Sequence, residues 1–84
     1  MIVRISYIEA LPDLVLKAVF DDGRVVLYDV AEDVATIPSY GPLATVPRLF
    51  EQVQLDSSRT CVFWNDEIDL PSDAIYEYGV EVAG

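Results

Sequence analysis

"LVLKAVFDDGRVVLYDV", Leu14 to Val30, decides the fold. Two β-rich runs flank Asp22-Gly23, and glycine accepts the positive φ that a tight hairpin turn demands. The runs are therefore expected to pair as antiparallel neighbours. In the first, Leu14, Leu16, Ala18 and Phe20 share one face at the two-residue period of a strand. In the second, Val25 and Leu27 fall on one face and Val26, Tyr28 and Val30 on the other. A strand apolar on both faces suits a central place in its sheet.

Upstream, "IVRISYI" (Ile2 to Ile8) alternates Val3, Ile5 and Tyr7 against Arg4 and Ser6, which predicts a first strand, closed by the loop "EALPD". Downstream, "AEDVATIPSYGPLATVPRLF" holds three prolines and a glycine. Before Pro47 it reads as an irregular connection with at most a helical turn. "TVPRLFEQV" predicts a short helix with Pro47 in its first turn and Leu49, Phe50 and Val53 facing inward. Strands follow at "VQL", "TCVFW" and "IDL", separated by Asp-Ser-Ser and Asn-Asp-Glu turns. The closing "PSDAIYEYG" predicts a helix with Ala74, Ile75 and Tyr78 inward, Asp69 and Asp73 near its start, and Gly79 at its stop. The expected fold is α+β: a small, mainly antiparallel sheet of five to six short strands with two short helices, in the order β-β-β-α-β-β-(β)-α. At 84 residues the chain supports a single domain, 1–84.

Fifteen acidic residues oppose five basic ones, a net charge of −10. That balance repels phosphate backbones and anionic lipid, so no direct nucleic-acid or membrane binding is expected, and a basic protein is the natural counterpart. No run reaches the length of a membrane span and the N-terminus lacks a basic leader, so a cytoplasmic protein is expected. Cys61 is the lone cysteine and sits in an apolar run, which predicts an inert thiol.

The absence of histidine removes the commonest general base and metal ligand. The four glycines, at 23, 41, 79 and 84, assemble no phosphate-binding loop. Carboxylate chemistry is what remains. Asn65, Glu67 and Asp69 alternate like the first ligands of a calcium loop, but Leu70 stands where that loop needs glycine and Pro71 follows. No catalytic residue, metal site or cofactor is therefore expected. Trp64 reads as a core plug. Surface contacts are sought among the exposed acids Asp66, Glu67 and Glu77. The acid-free stretch between Val34 and Phe50 adds Ile37, Tyr40 and Leu43.

"ALPDLVLKAVFDDGRVVLYDV", "VPRLFEQVQLD" and "VFWNDEIDLPSDAIYEYG" together resemble the small bacterial domain-of-unknown-function family 2442 over nearly the whole chain. The resemblance rests on Asp22-Gly23, Leu49-Phe50, Trp64, Asp69, Pro71 and Tyr76 in that order. It implies a small α+β fold with no established activity. Such domains stand alone, are attached to helix-turn-helix segments, or lie beside genes for another small protein in arrangements resembling toxin–antitoxin pairs.

The leading expectation is a non-enzymatic protein-interaction module, antitoxin-like, for a basic partner. The alternatives are an accessory sensing or dimerisation domain, with an apolar pocket near Trp64, Tyr76 and the middle segment, and a carboxylate-dependent hydrolase. Homodimerisation through a strand edge or a loop is a further expectation.

Overall fold

The computed structural model describes residues 3–82. The central hairpin forms as the sequence dictates. Strand β2 (Val15–Phe20) and β3 (Val25–Asp29) pair antiparallel, and Gly23 takes φ 90° in the turn between them. Leu16, Ala18 and Phe20 are buried on one face, as the period of two requires.

Strand β1 (Ile5–Leu11) completes a hairpin with β2 through Pro12, Asp13 and Leu14. It starts and ends three residues later than expected, and Ile2 lies outside the described residues. A register shift between Ile5 and Tyr7 places Ser6 in a bulge, where its hydroxyl donates to the Val19 carbonyl at 3.0 Å. The extra residue inverts the alternation. Ile8 and Ala10 therefore turn to the core, whereas Tyr7, expected inside with Ile5, is 51% exposed.

Beyond β3 the expected irregular connection is instead a helix, α1 (Val30–Thr36), followed by a 3-10 turn and the four-residue helix α2 (Pro42–Thr45). The Asp29 carboxylate caps α1 by accepting from the Ala31 N–H at 2.9 Å. Glu32 and Asp33 sit in its first turn, where the helix dipole favours anions.

The helix expected at 45–53 shrinks to a 3-10 turn, Phe50–Gln52. Arg48 adopts φ 67°, which interrupts any helical run. The Phe50 carbonyl accepts from the Trp64 indole N–H at 2.9 Å rather than from a following helical N–H. The inward set nevertheless holds: Phe50 is buried, and Leu49 and Val53 pack against the core.

Three antiparallel strands follow, β4 (Gln54–Leu55), β5 (Cys61–Asn65) and β6 (Ile68–Pro71), and form a sheet of their own. Helix α3 (Ser72–Tyr78) leads into β7 (Val80–Val82), a strand absent from the expected order, which pairs with the free side of β3. The fold is thus α+β with two antiparallel sheets, β1-β2-β3-β7 and β4-β5-β6, rather than one. The central place expected for β3 is real, and β7 supplies its second neighbour.

One cluster of buried side chains joins the layers. The inner face of the larger sheet contributes Leu16, Phe20, Val26 and Tyr28, the smaller sheet Val62, Trp64, Ile68 and Leu70, and the helices Val30, Leu43 and Ile75. Trp64 is a core residue as expected, stacked on Phe50 with ring centroids 5.8 Å apart. On α3 the inner set is Ser72, Ala74, Ile75 and Tyr76: Ala74 and Ile75 face the core as expected, whereas Tyr78, expected with them, is 73% exposed. Ser72 fixes the helix start, its N–H donating to the Thr60 carbonyl at 2.9 Å and its hydroxyl to the Val3 carbonyl at 2.6 Å. Neither Asp69 nor Asp73 makes a side-chain cap there.

The opposite face of the larger sheet follows from the register. Its rows read Tyr7, Val19, Val25, Val82; then Glu9, Lys17, Leu27, Val80; then Leu11, Val15, Asp29. None of these packs against the buried cluster.

Gly79 ends α3 where a side chain has no room. A Cβ there would lie 2.2 Å from a Val26 methyl carbon and 2.6 Å from the Ile75 carbonyl oxygen. Gly79→Ala is therefore expected to destabilise the fold by about 3 kcal/mol through forced repacking of helix against sheet, read as a lower midpoint in urea unfolding. Unchanged stability would contradict this packing.

Candidate functional site

The six residues expected at a contact surface do not gather in one place. Tyr40 and Leu43 are core residues, 8% and 3% exposed, which corrects their expected exposure. The Tyr40 hydroxyl donates to the Asp69 backbone carbonyl and so ties the middle segment to β6. The physical reason is that the 3-10 turn Pro38–Tyr40 and helix α2 fold this Pro-rich segment back over the sheets instead of leaving it extended. Ile37 is 39% exposed, and Asp66, Glu67 and Glu77 are exposed. Asp66 and Glu67 form the β5–β6 turn, held by the Asn65 side-chain oxygen, which accepts from the Glu67 and Ile68 N–H groups at 2.8 and 3.0 Å.

The aromatic trio of the C-terminal third also separates. Trp64 is internal. Tyr76 packs edge-on to Phe20 at 4.9 Å, donates to Asp22 at 2.8 Å, and carries the Arg24 guanidinium 4.3 Å above its ring. Tyr78 alone points outward.

A groove of about 880 Å³ lies between α1 and α3, at the end of β3 that β7 leaves unpaired. Its floor is apolar, with Leu27, Ile37, Leu70, Ala74 and Val80, and Tyr78 stands at its side. Its polar wall comes from the start of α1: Asp29, Glu32 and Asp33. No basic side chain lines it. Asp33 is oriented by the Tyr28 hydroxyl, which donates to it at 2.6 Å. Burial, then that bond to a carboxylate, pushes the Tyr28 phenol far above its ordinary range. Burial also raises Tyr40, with Asp33 and Asp69 adding to the effect. Both phenols therefore remain neutral at physiological pH. The groove is anionic, and its hydroxyls are donors.

Of the expected contact residues, Ile37 lines this groove beside Tyr40, while Asp66, Glu67 and Glu77 do not. The residues missed are Asp29, which reads as part of a strand, and Glu32 and Asp33, whose segment reads as loop. One signal was present: Asp29 with Glu32 three positions on has the spacing of a capping box. Of the pocket expected near Trp64, Tyr76 and the middle segment, the groove meets only the middle segment, through Ile37 and Tyr40.

A family model matches residues 5–81, from the first residue of β1 into β7. The chain belongs to DUF2442, a family of proteins of unknown function. The resemblance seen in the sequence is thereby established. No curated protein and no solved structure matches this DUF2442 chain. Among its described residues, no group of three or more Cys, Asp or Glu is placed to hold a metal ion. No helix among them is long and apolar enough to cross a membrane. The lone thiol, Cys61, is half-buried on β5, and burial pushes it above its ordinary value.

Several acids of this DUF2442 chain are engaged in holding the fold. Asp21 takes the Arg59 guanidinium at 2.6 Å, which lowers its pKa. Asp22 accepts from the Arg24 N–H at 2.9 Å and from Tyr76, and both lower its pKa in that order. Asp56 is lowered first by the Ser58 hydroxyl at 2.7 Å and then by the Ser57 N–H. A carboxyl whose folded pKa is depressed stabilises the fold above its unfolded value and loses that contribution as pH falls through the folded one. Their stabilisation is thus expected to be complete above about pH 5 and to be lost from about pH 4 downward, measured by urea unfolding across pH. Asp22→Asn should lower stability at pH 7 and match the wild type at the acid end. A constant difference at every pH would contradict the assignment.

Proposed function

We propose that this DUF2442 chain is a non-enzymatic protein-interaction module, and that its groove holds a basic, apolar-anchored segment of a protein partner in an antitoxin-like role. One observation carries the reading: three carboxylates and no cation border an apolar floor in a groove of about 880 Å³. Such a site favours a segment that inserts an aliphatic or aromatic side chain among Leu27, Ile37 and Val80 and sets Lys or Arg against Asp29, Glu32 and Asp33. The net charge of −10 extends the same preference over the surface and accelerates encounter with a cationic partner.

The hydrolase alternative needs a carboxyl held protonated in an enclosed site, with a raised pKa. The carboxyls that the fold displaces here, Asp21, Asp22 and Asp56, all move downward. They are bound to donors that favour the anion. The sensing alternative draws support from the groove's volume, which falls within the range of small-molecule sites. It predicts a rise in melting temperature with a small cationic or neutral metabolite, in a screen that leaves Glu32→Lys unaffected.

The direct test is titration calorimetry of the full chain with the product of the gene adjacent to its own. The expected complex weakens as salt rises from about 50 to about 500 mM, because charge attraction is screened. Glu32→Lys combined with Asp33→Asn should weaken it at least about ten-fold. Glu77→Lys, an equal charge reversal outside the groove, should have a much smaller effect. Equal losses from both would place the attraction in the net charge and not in the groove.

A further inference from the structure

Three of the five large apolar side chains exposed among the described residues stand at the groove: Tyr78, Val80 and Ile37, at 73%, 67% and 39%. They come from the last turn of α3, from β7 and from the residue that ends α1, so the fold and not a local run of sequence brings them together. Tyr7 and Val46, the other two, lie outside it. Single exposed apolar residues are ordinary, whereas a set gathered at one concavity marks a contact site. Tyr78 is the anchor among them, because a tyrosine covers a large area while ordering few torsions.

The backbone around the groove decides the form of what it holds. An extended segment needs a strand edge to pair with. β7 already takes β3 at Val25, Val26 and Leu27, and beyond them Asp29 is the cap of α1. β7 is itself three residues long with Glu81 at its centre, a short, charged edge of the kind that resists further pairing. A segment lying over Leu27, Leu70 and Ala74 therefore has to satisfy its own N–H and C=O groups, which a helix does internally. The flanks suit one. α1 and α3 are seven residues each, about 10 Å long, so about two to three turns of a third helix span the groove. Asp29, Glu32 and Asp33 stand three and four positions apart along one side of α1, the pitch at which a facing helix presents its own side chains.

We infer that the groove binds an amphipathic helix of a partner protein, with aliphatic side chains on the floor, Tyr78 packed along one flank, and Lys or Arg one turn apart facing Asp29, Glu32 and Asp33. The inference rests on the reading of the groove as a protein-binding site and adds the form of the partner. Asp29 and Asp33 each hold one internal bond, through Oδ1 to the Ala31 N–H and through Oδ2 to the Tyr28 hydroxyl. Those bonds fix the carboxylates in place and leave the second oxygen of each for a cation. The site is thus organised before the partner arrives, and the cost of ordering falls on the incoming helix.

Three synthetic peptides of about 12 residues and equal charge test it, by fluorescence anisotropy against the full chain. The first sets Leu and Arg on adjoining faces at helical spacing, the second is the first with Pro at its centre, and the third rearranges the same residues to the two-residue period of a strand. The first is expected to bind at least about ten-fold tighter than the other two and to gain helical circular dichroism on binding. Tyr78→Ala and, separately, Glu32→Lys should each weaken it at least about ten-fold, while Glu77→Lys, outside the groove, has a much smaller effect. Tyr78 is exposed, so its replacement should leave the urea midpoint unchanged. Equal or tighter binding of either other peptide, still sensitive to Glu32→Lys, overturns the helix and leaves the groove reading standing. Binding by none of the three, or binding that ignores Tyr78→Ala and Glu32→Lys alike, overturns both.

Discussion

Burial of a single face of β2, through Leu16, Ala18 and Phe20, is the constraint on which the rest of the structure depends. Those side chains draw β3 and β1 into register on either side, and the same cluster takes in the smaller sheet and the helices. The outer rows of the large sheet stay outside that cluster, and Val15, Leu27, Asp29 and Val80 among them line the groove. The groove follows from this, opening between α1 and α3 at the end of β3 that β7 leaves unpaired.

Much of the fold is legible in the sequence because it is written in short-range signals. Asp22-Gly23 specifies a turn, the β2 period of two specifies a face, and the strands around Asn65-Asp66-Glu67 need only their neighbours. The failures have local causes as well. One bulged residue at Ser6 reverses the phase of β1, and no alternation pattern reveals where a bulge falls. Seven residues of α1 hide behind a downstream density of proline, although Asp29 and Glu32 carried capping spacing. β7 is three residues long, too short for periodicity to register. It forms because β3 has an open edge to pair, which is a tertiary cause.

The candidate site was less legible than the fold. An apolar residue in a Pro-rich segment has no period to say whether it packs, and so Tyr40 and Leu43 are core while Ile37, a few positions earlier, is exposed. Carboxylates pose the same difficulty. Asp22 is bound to Tyr76, 54 residues away, and Asp21 to Arg59, 38 residues away, so that their structural role appears only when distant segments meet. Glu32 and Asp33 look no different in sequence, yet they border the groove. What composition did convey was the overall sign of the surface, and the groove concentrates that sign beside apolar side chains.

The groove and the outer rows beside it both depend on a core that packs against only one face of the main sheet. That claim is tested most directly by the relaxation of methyl signals by a soluble paramagnetic probe in a dilute sample. The account predicts strong relaxation at Val19, Val25 and Leu27, and protection at Leu16, Val26 and Val62. Protection of the outer valines at a concentration where the chain is monomeric would mean that the chain covers that face itself, and would contradict the account.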